Sequence, residues 1–70
     1  MEIQKHLSIT GSSKISWEDA ISRTIEEASK SIDFLSYVEV LRKYASISGN
    51  KIENYFVDLD LSFVIDQTRK

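Results

Sequence analysis

The sequence contains no cysteine, one histidine and two glycines among its 70 residues. The lack of cysteine excludes disulfides, thiolate metal ligands and thiol chemistry, and it is typical of a reducing compartment. Gly11 and Gly49 alone cannot form a glycine-rich loop of the kind that binds phosphates. Any pair of nucleophile and base would depend on His6, and the serines include no nucleophile-elbow motif. We therefore predict that the protein is not an enzyme, and we assign no catalytic residue.

Two further absences concern membranes and nucleic acids. No stretch approaches the run of about 20 apolar residues that spans a bilayer, and the N-terminal MEIQKHLSIT has no basic lead. The net charge is −2, and the nine basic residues are scattered along the chain rather than gathered in one patch. The sequence predicts a soluble, cytoplasmic protein that binds neither membranes nor nucleic acid.

The length of the chain limits its stability. Residues 1–70 form one domain, and a chain of this size buries only about 60% of its unfolded surface. Such small domains need a further source of stability. Because disulfides are excluded, association with other copies of the chain is the simplest source, and we predict a homo-oligomer.

Hydrophobic periodicity predicts the element order strand, helix, strand, strand. Residues 3–10 alternate between apolar and polar, with His6 on the polar side, where a solvated histidine is typical. Residues 11–14 predict a turn. Ser16 and Asp19 are typical of the N-cap and N3 positions of a capping box, so they predict the start of a helix. Apolar residues at three- and four-residue steps continue from there to Leu35. Favourable helical ion pairs are predicted for Asp19 with Arg23 and for Glu26 with Lys30.

Alternation returns over residues 37–47 and 51–66, with a hairpin turn between them. If Gly49 and Asn50 form a two-residue loop, Ser48 pairs with Lys51, and Glu39 lies directly opposite Asp60. The face that receives the helix then carries Val38, Val40, Tyr44, Tyr55, Val57, Leu59, Leu61 and Phe63. The opposite face carries Tyr37, Glu39, Leu41, Lys43, Asn54, Phe56, Asp58, Asp60 and Ser62.

The helix is too short to cover this sheet. The last strand of about 16 residues extends roughly 50 Å, whereas a helix of about 17 residues covers only about 25 Å. Large apolar side chains also lie on the face opposite the helix, among them Leu41 and Phe56. We therefore expect neighbouring copies to bury the exposed parts of the sheet.

Glu39, Asp58 and Asp60 form an acidic strip on the face opposite the helix. Like charges directly opposed in a sheet repel, so a cation should balance them: Lys43, a basic group of a neighbouring copy, or a bound ion such as calcium. The alternative is a solvated strip without a bound ion, because the sequence has no loop with calcium-ligand spacing. Tyr37 and Phe56, the rings of the same face, are candidates for subunit packing or for stacking on a ligand.

Four motifs in a fixed order resemble the dodecin family over nearly the whole chain. They are S-W-E-D-A-I at residues 16–21, A-S-K-S-I at 28–32, V-E-V at 38–40 and K-I-x-x-Y-x-V-x-L-x-L-S-F at 51–63. The resemblance implies an α+β subunit of β-α-β-β order, with a three-stranded antiparallel sheet wrapped around one helix. It also implies that twelve copies form a hollow shell, a homododecamer, which binds and stores or sequesters a flavin such as riboflavin or FMN.

The resemblance also nominates Tyr37 and Phe56 as the cofactor-binding positions. In typical flavin-binding members a tryptophan at the first position stacks on the flavin, and a glutamine at the second hydrogen-bonds the ring edge. Tyrosine offers a smaller face, and phenylalanine leaves a polar edge unsatisfied at a cost of about 1–3 kcal/mol, although Asn54 or Ser62 could compensate. We therefore expect weakened flavin binding. The alternative is a structural assembly that binds calcium or another cation through Glu39, Asp58 and Asp60.

Overall fold

The computed structural model describes residues 2–66. Strand β1 spans Glu2–Ser13, helix α1 spans Trp17–Ala28, strand β2 spans Leu35–Ser48 and strand β3 spans Lys51–Asp66. The strands form one antiparallel sheet in the order β1-β3-β2, and α1 packs against β1 and β3. This confirms the predicted β-α-β-β fold. Within the described residues, no helix is long and apolar enough to cross a membrane.

Strand β1 continues through the residues for which a turn was predicted. Gly11 pairs with Val57, and Ser13 pairs with Tyr55. The glycine is needed for packing, because a Cβ built at position 11 would lie 1.7 Å from Oγ1 of Thr24 on the helix. The predicted turn over residues 11–14 is therefore wrong, and the glycine there marks the closest approach of helix and strand.

The start of α1 agrees with the prediction and its end does not. The Asp19 amide donates to Ser16 Oγ at 2.9 Å, and Arg23 Nε donates to Asp19 Oδ2 at 2.8 Å. The helix ends at Ala28, where the hydroxyl of the C-cap Ser29 donates to a backbone carbonyl of the last turn. Serine side chains compete in this way for helix carbonyls.

The early end of the helix overturns two predictions. Leu35, expected as the end of the apolar stripe, begins β2 instead, and the predicted pair of Glu26 and Lys30 does not form. The Lys30 ammonium lies 3.4 Å from a carboxylate oxygen of Glu27.

The hairpin confirms the predicted turn and part of the predicted register. Gly49 and Asn50 have φ angles of 60° and 65°, and Ser48 pairs with Lys51. A two-residue hairpin turn of type I′ requires such positive φ angles at both of its central residues. Glu39 pairs with Asp60, as predicted. Between these two residue pairs the register of β2 on β3 shifts twice, once between Val40 and Arg42 and once between Ser46 and Ile47. We call these two shifts the bulges of β2.

The bulges reverse the faces of the β2 residues between them. Tyr44 pairs with Phe56 and Lys43 pairs with Val57, so the predicted faces of Tyr44 and Lys43 are wrong. A one-residue slip moves every side chain to the other face of the sheet, and the second bulge restores the original register. Arg42 consequently joins Tyr44 on the face opposite the helix.

The core is small and lies under the helix. Val57, Leu59 and Leu61 of β3 are at most 1% exposed and pack against Ala20 and Ala28 of α1. Other side chains are partly buried at the margin of this cluster: Ile9, Trp17, Ile21, Ile25 and Leu35. The ring of Trp17 meets Tyr55 edge to face, with ring centroids 4.8 Å apart, so Trp17 packs against the sheet.

The helix leaves most of β2 uncovered. With 12 residues α1 is about 18 Å long, whereas the Cα atoms of the chain extend over 57 Å. Val38 and Val40 lie on the helix side of β2 and still remain exposed. The chain therefore leaves apolar surface open on the face of β2 that a longer helix would cover.

Gly11→Ala should destabilise the protein by about 1–3 kcal/mol, because the new methyl group overlaps the Thr24 hydroxyl. Adding Thr24→Ala should recover much of this loss, since it removes the atom in closest contact. Urea unfolding of both variants measures the effect. The control is Gly49→Ala, which should cost about 1–2 kcal/mol because residue 49 has a positive φ. A Cβ at this position would have no atom within 4 Å, so no close contact contributes to the cost. If Thr24→Ala rescues both glycine variants equally, the close-contact explanation is wrong.

Candidate ligand-binding face

The sheet face opposite the helix, which we call the open face, carries the five candidate site residues: Tyr37, Glu39, Phe56, Asp58 and Asp60. The strand register assigns to it Gln4, His6, Ser8, Thr10 and Ser12 of β1, Tyr37, Glu39, Arg42, Tyr44 and Ser46 of β2, and Asn54, Phe56, Asp58, Asp60 and Ser62 of β3. The predicted placement of the two rings and the three acids on one face is therefore confirmed. Their mutual arrangement differs from the prediction.

Asp58 is the centre of a hydrogen-bond network that joins all three strands. Its Oδ1 accepts from Thr10 Oγ1 at 2.8 Å and from the Tyr44 hydroxyl at 3.1 Å. Its Oδ2 accepts from Nε and Nη2 of Arg42 at 3.0 and 2.8 Å. The hydrogen bond from Thr10, followed by that from Arg42, lowers the pKa of Asp58 below its ordinary value of 3.8. The negative charge of Asp58 is thus balanced by Arg42 of the same chain.

The same network holds two aromatic rings together. Tyr44 stacks on Phe56 with ring centroids 5.3 Å apart and planes inclined by 16°, and the Arg42 guanidinium lies 5.3 Å from the Tyr44 centroid. The hydrogen bond to the Asp58 carboxylate raises the pKa of Tyr44 above its ordinary value of 10.0. One side of Phe56 is therefore occupied by a residue of the same chain.

Asp60 is hydrogen-bonded to His6 of β1, and of the three predicted sources of a balancing cation Lys43 does not reach it. Nδ1 of His6 lies 2.8 Å from Asp60 Oδ2 and 3.1 Å from Ser62 Oγ. Because a carboxylate only accepts, the Nδ1 hydrogen points to Asp60. Lys43 cannot serve, since the bulge places it on the helix side of the sheet.

The predicted acidic strip does not form a metal centre within one chain. Glu39 lies opposite Asp60, but Asp58 already binds Arg42. Over the residues searched, which are those that the structure describes, no three histidine or acidic side chains are grouped as metal ligands are. A cation bound by Glu39 and Asp60 would need further ligands from outside this group.

Tyr37 and Phe56 share the open face but are not neighbours. Tyr37 pairs with Ser62, whereas Phe56 lies six residues away along the same strand, a distance of about 20 Å. The Tyr37 residue is 68% exposed. The two rings are therefore too far apart within one subunit to contact each other. Asn54 is farther still from Tyr37.

Sequence reasoning missed Thr10, Arg42 and Tyr44, and it treated His6 as a solvated residue. The alternation of β1 places Thr10 and His6 on its polar side, which was available from the sequence. The pairing of β1 with β3 was not, and it brings these side chains to Asp58 and Asp60. Arg42 and Tyr44 depend on the bulge, for which the sequence offers no glycine signal.

Comparisons with known proteins agree with this architecture. The dodecin family model matches residues 3–66. A mutant of the Thermus thermophilus dodecin is 25% identical, covers 97% of this chain and 100% of its own, and gives a TM-score of 0.90. The dodecin from Streptomyces davaonensis is 23% identical, with coverages of 94% and 97% and a TM-score of 0.88. A search of curated protein sequences found no significant match.

A Mycobacterium tuberculosis structure is also similar. It is 26% identical, with coverages of 97% and 97% and a TM-score of 0.80, and it is called a calcium chelating immunodominant antigen, calcium dodecin.

One helix on a three-stranded antiparallel sheet, with a polar and aromatic open face, defines a small α+β subunit. The chain belongs to the dodecin family, because the family model covers almost its whole length and the fold matches that of solved dodecins.

Asp58→Asn should reduce the loss of stability in acid. Since the pKa of Asp58 is lowered in the folded state, its ionised form stabilises the fold fully well above pH 3.8. This stability is lost as the pH falls through 3.8 toward the folded-state pKa. The urea midpoint of the native protein should therefore fall more between about pH 5 and pH 3 than that of the variant.

Asp33→Asn, which changes an exposed carboxyl in the connection between α1 and β2, is the control for this experiment. It should follow the native profile. Equal acid sensitivity of the native protein and Asp58→Asn would contradict a stabilising role for the ionised Asp58.

Proposed function

We propose that this protein binds and stores or sequesters a flavin, riboflavin or FMN, as a cytoplasmic hollow homododecamer without enzymatic activity. Each subunit is a single domain, 1–70. Flavin binding and a dodecameric shell are general to the family. The observation that carries the proposal is the exposed ring of Tyr37 on the open face of the uncovered strand β2. Such a ring is a ready surface on which a planar ligand can stack.

The exposed apolar surface supports assembly. The large hydrophobic residues left exposed include Ile3, Leu7, Ile15, Phe34, Val38, Val40, Leu41, Ile47 and Ile52. Several of them lie on β2, which forms an edge of the sheet. Contacts with neighbouring copies would bury these side chains and pair the edge, and this would supply the stability that a core of this size lacks.

A ligand that contacts both Tyr37 and Phe56 must lie between subunits. The two residues are about 20 Å apart along one sheet, which is longer than a flavin ring system. One copy therefore supplies the stacking ring and another supplies Phe56, whose remaining free surface is limited by Tyr44. Binding consequently depends on assembly.

Tyr37→Ala should weaken flavin binding by about 5- to 150-fold, the range expected when an aromatic ring is removed from a stacked base. Titration of riboflavin or FMN with protein, followed by the quenching of flavin fluorescence, measures the affinity. Tyr37→Trp should tighten binding, because a larger face is offered.

Glu26→Ala is the control, since it removes an exposed side chain of α1 that takes no part in the proposed contacts between copies. It should leave quenching unchanged, provided that light scattering shows the same mass for all variants. Absence of quenching by the native protein at tens of micromolar would refute flavin binding, and a monomeric mass would refute the shell.

Calcium binding is the second candidate. It is favoured by the direct opposition of Glu39 and Asp60 and by the similarity to a structure called calcium dodecin. The occupied Asp58 carboxylate argues against a site that uses all three acids. A calcium ion would therefore be held by Glu39 and Asp60 together with oxygen ligands of another copy or water.

Calcium at about 100 times its Kd should stabilise the protein by about 2.7 kcal/mol and raise its Tm, and EDTA should reverse this. Glu39→Gln should abolish the shift, whereas the control Glu26→Gln on the exposed side of the helix should retain it. An unchanged Tm in calcium, or an equal shift in Glu39→Gln, would exclude this site.

A further inference from the structure

His6, Ser62 and Tyr37 form one row across the open face. Ser62 of the central strand pairs with His6 on one side and with Tyr37 on the other. With about 5 Å between neighbouring strands, the Cα atoms of His6 and Tyr37 are about 10 Å apart. The imidazole leans inward, since its Nδ1 lies 3.1 Å from Ser62 Oγ above the central strand. A tricyclic ring stacked on Tyr37 extends over this distance.

Asp60 fixes which nitrogen of His6 is available. The hydrogen on Nδ1 is directed to Asp60 Oδ2 at 2.8 Å. A neutral imidazole with its hydrogen on Nδ1 has a lone pair on Nε2. The His6 side chain is 57% exposed, so this lone pair is accessible from the open face. Ser62 itself is only 6% exposed and offers a ligand little contact.

The polar edge of a flavin carries an N3–H group between two carbonyls. Phe56 cannot accept a hydrogen bond from that group, and Asn54 lies eight residues from Ser62 along β3. An acceptor beside Tyr37 would restore the missing partner. Such an acceptor strongly affects which ligand binds, because a bound ligand that lacks the matching N–H donor leaves the acceptor without a hydrogen bond.

We propose that His6 is a ligand-binding residue of this protein, and that its Nε2 accepts a hydrogen bond from the N3–H of a flavin stacked on Tyr37. This inference rests on the proposed flavin function and deepens it by naming the residue that reads the polar edge of the ring. It predicts selectivity for planar heterocycles that carry an imide N–H. The hydrogen bond that a glutamine at the position of Phe56 on β3 makes in typical flavin-binding members would then come from His6 on β1.

Fluorescence titration with riboflavin and with 3-methylriboflavin, whose N3 carries a methyl group, tests the assignment. His6→Ala should weaken riboflavin binding about 10-fold. The same variant should bind 3-methylriboflavin within about twofold of the native protein, because that ligand never made the hydrogen bond. Lys5→Ala is the control, since Lys5 is the exposed neighbour on the other face of β1.

A measurement on the native protein does not depend on the folding of any variant. His6 is the only histidine, so protein labelled with ¹⁵N-histidine gives one imidazole, and riboflavin should shift its Nε2 resonance while 3-methylriboflavin should not. An unchanged Nε2 signal at saturating riboflavin overturns the proposal. Equal weakening of both ligands by His6→Ala, or of neither, also overturns it and leaves flavin storage intact. Failure of the native protein to quench riboflavin at all overturns both.

Discussion

The close contact of α1 with β1 and β3 is the constraint on which the rest of the structure depends. Gly11 lets the helix approach so closely that even a methyl group would overlap Thr24. This contact buries Ala20 against the central strand and leaves most of β2 outside the reach of the helix. A single short helix can cover only part of a long sheet, so the uncovered strand is available for other contacts.

The open face is a polar surface on which Asp58 and Asp60 are hydrogen-bonded within the chain. Thr10, Arg42 and Tyr44 satisfy Asp58, and His6 satisfies Asp60. Hydrogen bonds that span all three strands hold these side chains in fixed positions. Tyr37 lies outside this network and keeps an exposed ring. The face therefore combines an ordered polar region with one free stacking surface.

Two substitutions relative to typical flavin-binding dodecins have different structural consequences. Tyr37 is exposed on the open face, as the proposed stacking on a flavin would require. Phe56 instead stacks on Tyr44, so its position serves the subunit's own packing. In the proposed flavin complex, the polar edge of the ligand would be bound by His6, which lies in the same row of the open face as Tyr37.

Four features could be predicted without a structure: the element order, the helix start at Ser16, the hairpin at Gly49 and Asn50, and the shared face of the five candidate residues. These features follow from local periodicity and turn chemistry, which a single sequence carries. The pairing of β1 with β3, the bulge that turns Tyr44 toward Phe56 and the approach of His6 to Asp60 and Ser62 were decided by the tertiary structure alone. Tyr44 and Phe56 are 12 positions apart and His6 and Ser62 are 56 apart, and no local pattern records which strands meet or where a bulge reverses a face.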